Sequence, residues 1–513
     1  MSGHLAILYS CALSGLQAPT VCVEVHLSTG LPAFHIVGLP DTGVRESKER
    51  VRSAIEFGGW DFPAGRFTVN LSPTNLPKES GRFDLPIAVG VLMATGQIIL
   101  PNEVQQQLPH MYLMGELSLT GALISIQAPL IMALSIYKRD PKAIVIMPKE
   151  DAKMAARIRG LQVIGAETLA EVVAYLSGQR TIQEMLIGQE GESIDEASRG
   201  VESTSLCLSD IRGQAQACKA LEIAASGGHG LILVGSPGVG KSMLAYRLPT
   251  LLPPLDEQQQ LDVMAIYSLT KVTPPPLGIA PFRAPHHSAS AVALIGGGTN
   301  VLPGEISLAN HGVLFLDEMA EFDRRVLEAL REPLESGEIH IARAKRTQTY
   351  PARFQLMATC NPCPCGYLGH SQKLCRCTTE QITRYQNKLS GPLLERIDMH
   401  FNVHAITQDW LQAVPAERSE VVRVRVEQCR QRQLQRQGVL NARLSDAQLR
   451  TYCQLDKEGE SLLANAMQRL AWSARVSQRL LKVARTIADM NEHPSILAED
   501  LAQAMMYRGG SGG

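Results

Sequence analysis

The sequence predicts an α/β protein organised around a phosphate-binding core, with a mixed α/β or α+β domain before it and an all-helical region after it. Three observations carry this prediction. An apolar strand runs directly into G-x-x-x-x-G-K-S at residues 235–242, a second apolar strand ends in the acidic pair Asp317 and Glu318, and strand-like segments stop after about Ala405. At roughly 150 residues per domain, the 513 residues suggest about three domains. A net charge of −1, with 45% hydrophobic and 19% charged residues, excludes a disordered acidic chain and a globally basic nucleic-acid coat. Eleven cysteines are too dilute for a disulfide scaffold and indicate a reducing, cytoplasmic setting. The apolar stretch from Leu5 lacks a basic flank, and that from Pro86 to Leu100 is broken by Gly90, Gly96 and Gln97. Neither reads as a signal peptide or a membrane span.

Along the chain, FTVNLSP from Phe67, the helix-like run from Leu85 to Thr95, MYLMGELSLTG from Met111 and AIVIMP from Ala143 compose the first domain, residues 1–185. Residues 186–205 are polar and acidic without apolar periodicity, as a linker should be. Residues 206–404 hold the core, with strands at GLILVG, GVLFLDE and RFQLMATCNP, the buried runs of a parallel sheet. Residues 405–508 carry helical patterns at 419–437, 459–470 and 475–490, and the closing GGSGG, 509–513, reads as a tail like an expression scar.

The phosphate loop comprises Gly235, Ser236, Pro237, Gly238, Val239, Gly240, Lys241 and Ser242. Its glycines let backbone N–H groups face ATP phosphates, Lys241 reaches the β- and γ-phosphates, and the Ser242 hydroxyl suits Mg²⁺. Asp317 would join the Mg²⁺ shell and Glu318 would orient and deprotonate the attacking water. Asn361, at the end of the next strand, is placed to hold that water, although Asn before Pro362 also suits a turn. Arg396 is a candidate arginine finger toward a neighbouring subunit; the alternative is an intrachain pair with Glu395 or Asp398. Arg475, opening a helix, is a candidate γ-phosphate sensor.

These residues, with FRAPHHSAS, GEISLANHGVLFLDE, NPCPCGY, SGPLLERIDMHF and SARVSQRLLKVARTIAD, resemble the ComM/YifB family of magnesium-chelatase-related AAA+ ATPases over nearly the whole chain. The resemblance implies a P-loop AAA+ core with a helical lid, preceded by a Lon-protease-like (S5-like) α+β domain. It also implies a ring, usually a homo-hexamer, with ATP sites between subunits. Lys241, Asp317, Glu318, Asn361, Arg396 and Arg475 then take the roles argued above. One departure is Glu395, where the family more commonly has Asp; the charge is kept.

DNA contacts have two candidate regions. Asp317 follows Ser242 by 75 residues, more than a minimal crossover requires, and this insertion contains Arg283, His286, His287 and the triple glycine 296–298, which read as a mobile polar loop. In related clades such an insert faces the pore; a structural hydrogen-bonding role for the two histidines is the competing reading. The segment EIHIARAKRTQTYPAR alternates as a β-hairpin tipped by Arg343, Lys345 and Arg346. In the resembling helicases this hairpin grips the phosphate backbone, and six copies would build a strong, salt-dependent field. The arginine-rich helix at 419–437 reads more simply as a solvated face laced with Glu417, Glu420 and Glu427.

Cys363, Cys365, Cys375 and Cys377 form a C-x-C…C-x-C pair suited to tetrahedral, structural Zn²⁺, with Cys360 or His370 as substitute ligands and loop-capping free thiols as the alternative. In the first domain, the Lon-like segment LPKESGRFDLPIAVGVL offers Arg82, Phe83 and Asp84 where the nucleophile should stand, and Leu130 matches the dyad lysine. Acyl transfer then has no nucleophile or base. The residues themselves point to ATP hydrolysis; the resemblance implies a DNA motor, a helicase or branch-migration ATPase serving natural transformation and homologous recombination. Its partners would be single- and double-stranded or branched DNA, a recombinase and other competence proteins, with no membrane. The alternatives are a chelatase motor, which would need partner subunits and ignore DNA, and a Lon-like protease, which would degrade casein.

Overall fold

A computed structural model describes residues 5–188, 206–298, 301–343, 346–370, 372–405 and 413–508, with the side chains of Thr42, Arg343 and Arg346 also outside the description. The expected linker from 189 onward, the tail 509–513 and Lys345 therefore lie outside the described residues. The chain divides into two compact units, residues 1–193 with 264–272, and residues 194–263 with 273–513. Among the described residues no helix is long and apolar enough to cross a membrane.

The first unit contains a seven-stranded mixed sheet. Its strands are β1 (Leu5–Cys11), β2 (Thr20–Ser28), β3 (Ala33–Val37), β4 (Arg66–Ser72), β5 (Met111–Leu113), β6 (Ile144–Pro148) and β7 (Gln162–Ala166), in the order β3-β4-β2-β1-β5-β6-β7. β1, β2 and β4 alternate buried and outward residues, so Leu8, Val23, Val25, Val69 and Leu71 share one core face. Onto that face pack α1 (Thr42–Phe57), whose N-terminus is capped by the Asp41 carboxylate, and α2 (Asp84–Ala94). The latter is apolar nearly all round because it is enclosed nearly all round. At its start Asp84 is buried and accepts from Ser47, from Arg50 at 2.6 Å and from the Leu117 amide. Arg82 is also buried, donating to Ser80 Oγ at 2.9 Å, and burial lowers its pKa to about 10. Leu130, on α3 (Pro129–Arg139), is packed in the core. The segment matched to the Lon nucleophile thus holds buried Arg82, Phe83 and Asp84, and the position matched to its lysine holds buried Leu130.

The second unit is built on a five-stranded, wholly parallel sheet. Its strands are β8 (Leu231–Val234), β9 (Phe282–Arg283), β10 (Val313–Leu316), β13 (Gln355–Cys360) and β14 (Met399–Asn402), ordered β9-β10-β13-β8-β14. All residues of β10 and β13 are buried, as continuous apolar strands covered on both faces require. Before β13 comes the expected hairpin, β11 (Glu338–Arg343) against β12 (Arg346–Pro351), closed by the pair Arg343 and Arg346. It is anchored through buried Ile339 and Ile341 and by Tyr350, whose hydroxyl donates to Val301 O at 2.7 Å.

The triple glycine differs from the mobile loop expected of it. Gly296 and Gly297 are buried and pair with Pro303 and Leu302. A Cβ on Gly296, whose φ is +106°, would fall 2.4 Å from Leu302 O and 2.8 Å from Ile341 Cδ1 of the hairpin, and the backbone clash explains the glycine.

Among the helices of this unit are α4 (Ala215–Gly227), α5 (Lys241–Ala245), α6 (Ser419–Gln437), α7 (Lys457–Leu470), α8 (Ala474–Met490) and α9 (Ala498–Met506). The arginines of α6 are not a solvated stripe. Arg423 and Arg430 donate to the carbonyls of Thr250 and Ala225, Arg425 binds Glu222 and Glu417, and Arg432 and Arg436 reach Asp489. Long guanidinium forks here satisfy helix-end carbonyls and tie α6 to α4 and α8.

Candidate active site

The carboxyl ends of β8, β10 and β13 bring three separate sequence signals to one edge of the sheet, where open α/β sheets bind ligands. The loop after β8 turns tightly: Gly238 and Gly240 have φ of +82° and +94°, and a Cβ on Gly235 would stand 2.5 Å from Val403 O. No other residue serves all three positions. Lys241 Nζ donates to Gly235 O at 2.6 Å, Ser236 O at 3.0 Å and Asn361 Oδ1 at 3.0 Å, so the loop and the end of β13 share one ammonium. Partial burial lowers the Lys241 pKa, opposed by the Cys360, Asp317 and Glu318 charges.

Ser242 Oγ lies 3.1 Å from both oxygens of Asp317, and Thr359 Oγ1 donates to Asp317 Oδ1 at 2.5 Å. A hydroxyl beside a carboxylate is a hard oxygen pair, the donor set Mg²⁺ prefers. These residues fit Mg²⁺ and the phosphate loop fits a nucleotide polyphosphate. Glu318 is exposed in a left-handed backbone conformation, φ +51°, that lifts its side chain out of the strand line; its amide donates to Thr359 Oγ1 at 2.9 Å. Thr359 is a functional residue the sequence reading missed. Its signal is a polar side chain in an otherwise apolar strand, two residues before Asn361 and hence on the same face. Gln214, also missed, donates to His404 O at 2.9 Å and spans toward Val239 O at 3.5 Å.

The two arginines stand differently. Arg396 is buried, with one terminal nitrogen 2.6 Å from Glu335 Oε1, another donating to Pro392 O at 2.7 Å, and Nε without a partner. The intrachain partner is therefore Glu335, neither Glu395 nor Asp398. Glu395 accepts from Ser473 Oγ at 3.2 Å, and Asp398 is taken by Arg479 at 2.8 Å and His229 at 3.3 Å. Burial favours the neutral acid at Asp398, yet Arg479 and His229 hold its carboxyl well below the ordinary range. Arg475 is exposed in the first turn of α8.

Among the candidate DNA contacts, Arg283 differs from expectation. Glu305 grips it bidentately at 2.6 and 2.8 Å, making it a strut within the insertion. His286 and His287 are exposed, their rings tilted against each other with centroids 4.1 Å apart, and His286 is bonded to Ser288 Oγ. The side chains of Arg343, Lys345 and Arg346 lie outside the described residues.

The Sγ atoms of Cys363, Cys365, Cys375 and Cys377 all lie within 4.8 Å of one another. Three of the separations are 3.4, 3.7 and 3.6 Å. A tetrahedron of ~2.3 Å Zn–S bonds spaces its sulfurs at ~3.8 Å, so the cluster fits one Zn²⁺. His370 and Cys360 are not part of it. His370 Nδ1 accepts the Gln372 and Lys373 amides, and Cys360 turns to its own strand end.

Comparison with known proteins supports this architecture. Residues 207–411 match the family model described as magnesium chelatase, subunit ChlI; residues 23–151 match subunit ChlI of Mg-chelatase, and 416–508 the ChlI C-terminal model. The chain is 44% identical over 508 residues to the uncharacterized protein YifB of Escherichia coli, covering 98% of this chain and 97% of that one. It is 43% identical over 513 residues to the competence protein ComM of Haemophilus influenzae, with coverage of 98% and 97%. The magnesium-chelatase 38 kDa subunit of Cereibacter sphaeroides is 29% identical over 174 residues, 30% of this chain and 52% of that one. With full-length identity of this order and the phosphate loop, acidic pair and asparagine assembled at one sheet edge, the chain belongs to the ComM/YifB family of magnesium-chelatase-like AAA+ ATPases.

Proposed function

We propose that the chain is an ATP-hydrolysing ring motor that moves on DNA, acting as a helicase or branch-migration enzyme in the integration of incoming DNA by homologous recombination. The observation that carries the ATPase reading is the shared anchoring of Lys241 to the loop and to Asn361 beside the Ser242 and Asp317 pair. Mg²⁺ supplies neutralisation of the developing phosphate charge. Lys241 binds the β- and γ-phosphates, Ser242 and Asp317 hold the metal, and Glu318, free of ion pairs among the described residues, accepts a proton from the attacking water that Asn361 orients. Arg475 reads the γ-phosphate. Arg396 serves the neighbouring subunit's site once it leaves Glu335, with six subunits forming the ring.

The DNA reading is supported by the basic-tipped hairpin packed against the glycine insertion, and by the competence name of a full-length relative. DNA in single-stranded, double-stranded or branched form is the track; a recombinase and other competence proteins are the partners, in the cytoplasm. The first domain is a Lon-like scaffold tier, the helices α6–α9 form the lid, and the four cysteines hold a structural Zn²⁺. A second reading, a motor for a metal-insertion partner, is favoured by the matched chelatase models and predicts ATPase activity indifferent to DNA. ATPase and unwinding or branch-migration assays with single strands, forks and four-way junctions separate the two. Stimulation and strand movement, abolished by Lys241→Ala and Glu318→Gln, are expected. No response to any DNA overturns the motor.

A further inference from the structure

We infer that the four-cysteine knot is a metal-dependent prop for the phosphate loop, so that zinc occupancy sets nucleotide affinity. This rests on the zinc reading above and adds to it a physical connection between the metal and the ATP site.

The connection has two ends. The knot starts at Cys363, two residues beyond Asn361, whose Oδ1 receives Lys241. Its first turn then folds back onto the phosphate loop. Gly366 is buried with φ +80°, and a Cβ built there would stand 2.4 Å from Pro237 Cδ and 2.6 Å from Cγ. Only glycine permits both that backbone conformation and that approach. The phosphate loop is thus walled on one side by Val403 O, against Gly235, and on another by the knot, against Pro237.

Among the described residues the knot has little apolar burial to hold it in this place. Among its described residues only Cys363 and Gly366 are buried, while Leu374 is 92% exposed and Leu368 is exposed as well. Backbone tethering comes at the base alone: Thr378 caps the helix that follows, and Gln386 Nε2 points to Pro362 O at 3.4 Å. A loop without a core needs a cross-link to keep its shape. Tyr367, His370 and Lys373 gather on its exposed side, and the four sulfurs supply the cross-link that closes its base when they bind a metal. With the metal gone the Gly366 turn is released, Pro237 loses its wall and the exit of Asn361 loosens. The knot residues touch no phosphate; they are positioning residues.

The test uses the full-length protein, zinc content by elemental analysis and the Kd of a fluorescent ATP analogue. Wild type carries one zinc per chain, and Cys375→Ser loses the zinc and binds nucleotide about tenfold more weakly. Two further variants separate the prop from general disruption. Gly369 shares the left-handed backbone, φ +77°, but a Cβ there meets nothing within 4 Å. Gly366→Ala and Gly369→Ala therefore carry the same conformational strain, and only the first collides with Pro237. Both retain zinc, and only Gly366→Ala weakens nucleotide binding. Equal nucleotide affinity in these two zinc-loaded variants overturns the prop and leaves the zinc site standing. Wild type without zinc overturns the zinc reading and the prop with it.

Discussion

Thr359 Oγ1 donates to Asp317 Oδ1 at 2.5 Å while accepting the Glu318 amide at 2.9 Å, so one hydroxyl on β13 fixes both acidic residues at the end of β10. Thr359→Val keeps the shape and removes both hydrogen bonds. The Asp317 carboxylate loses orientation and the Glu318 amide is left unsatisfied, at ~1–3 kcal/mol. The expected result is a fall in kcat on the order of tenfold or more, with a raised Mg²⁺ requirement. Thr359→Ser should restore most of both; steady-state ATPase against Mg²⁺ concentration reads the difference.

Lys241 and Glu318 should fail in opposite ways. Lys241→Ala removes an ammonium that contacts both the phosphate loop and Asn361, and should lose nucleotide binding by a hundredfold or so together with turnover. Glu318→Gln keeps shape and metal ligands and should bind ATP with near wild-type affinity while hydrolysis nearly stops. Equilibrium binding beside single-turnover hydrolysis distinguishes the two.

Much of this site was legible because its chemistry is local in sequence. The loop 235–242, the acidic pair and Asn361 each sit at the end of an apolar run, and an edge shared by parallel strands brings such ends together. Thr359 was harder to see because its partners are in another strand. The intrachain partners of Arg396 and Arg283 were not legible. Residue type suggested reach toward a ligand, whereas the carboxylates that hold them in this chain, Glu335 and Glu305, are set by tertiary packing. The arginines of α6 were misread for a related reason: helical spacing reports which residues share a face, and the carbonyls waiting on α4 and α8 are set by tertiary packing alone.

At the hairpin, Lys345→Ala combined with Arg346→Ala should lower affinity for DNA at least tenfold, flatten its dependence on salt, and leave basal ATPase close to wild type. The β11 and β12 ladder is held through buried Ile339, Ile341 and Tyr350, away from these positions, so the fold should persist. Anisotropy titrations at two salt concentrations measure both effects. Unchanged affinity and slope would remove the hairpin from the DNA path.

Asp489 on α8 is buried and accepts from Arg436 at 2.9 Å, Arg485 at 2.8 Å and Asn441 at 2.8 Å. Asp489→Ala leaves two guanidinium groups without their carboxylate, one of them buried. A loss of ~3–5 kcal/mol in the stability of the second unit is expected. Denaturant midpoints would show it, and the conservative Asp489→Asn should recover part by keeping the acceptor to Asn441.

His400 on β14 gives the second unit a pH dependence with a definite sign. Its Nε2 faces Leu394 O at 3.1 Å, and burial first, then the nearby Arg508 charge, lowers its pKa to about 4. The unfolded chain titrates this imidazole near ~6.5. Between those values the unfolded state binds more protons than the folded one, so stability falls as the solution is acidified from about pH 6.5 toward 4. Above that window the contribution is constant, and below it both states are protonated and the loss levels off. The slope is bounded by ~1.4 kcal/mol per pH unit for one group. Other groups titrate in the same range, so the quantity to measure is the difference between wild type and His400→Gln. The variant should gain stability relative to wild type as pH falls from 6.5 to 4.5; a difference independent of pH would show that the imidazole is freely protonated in the folded protein.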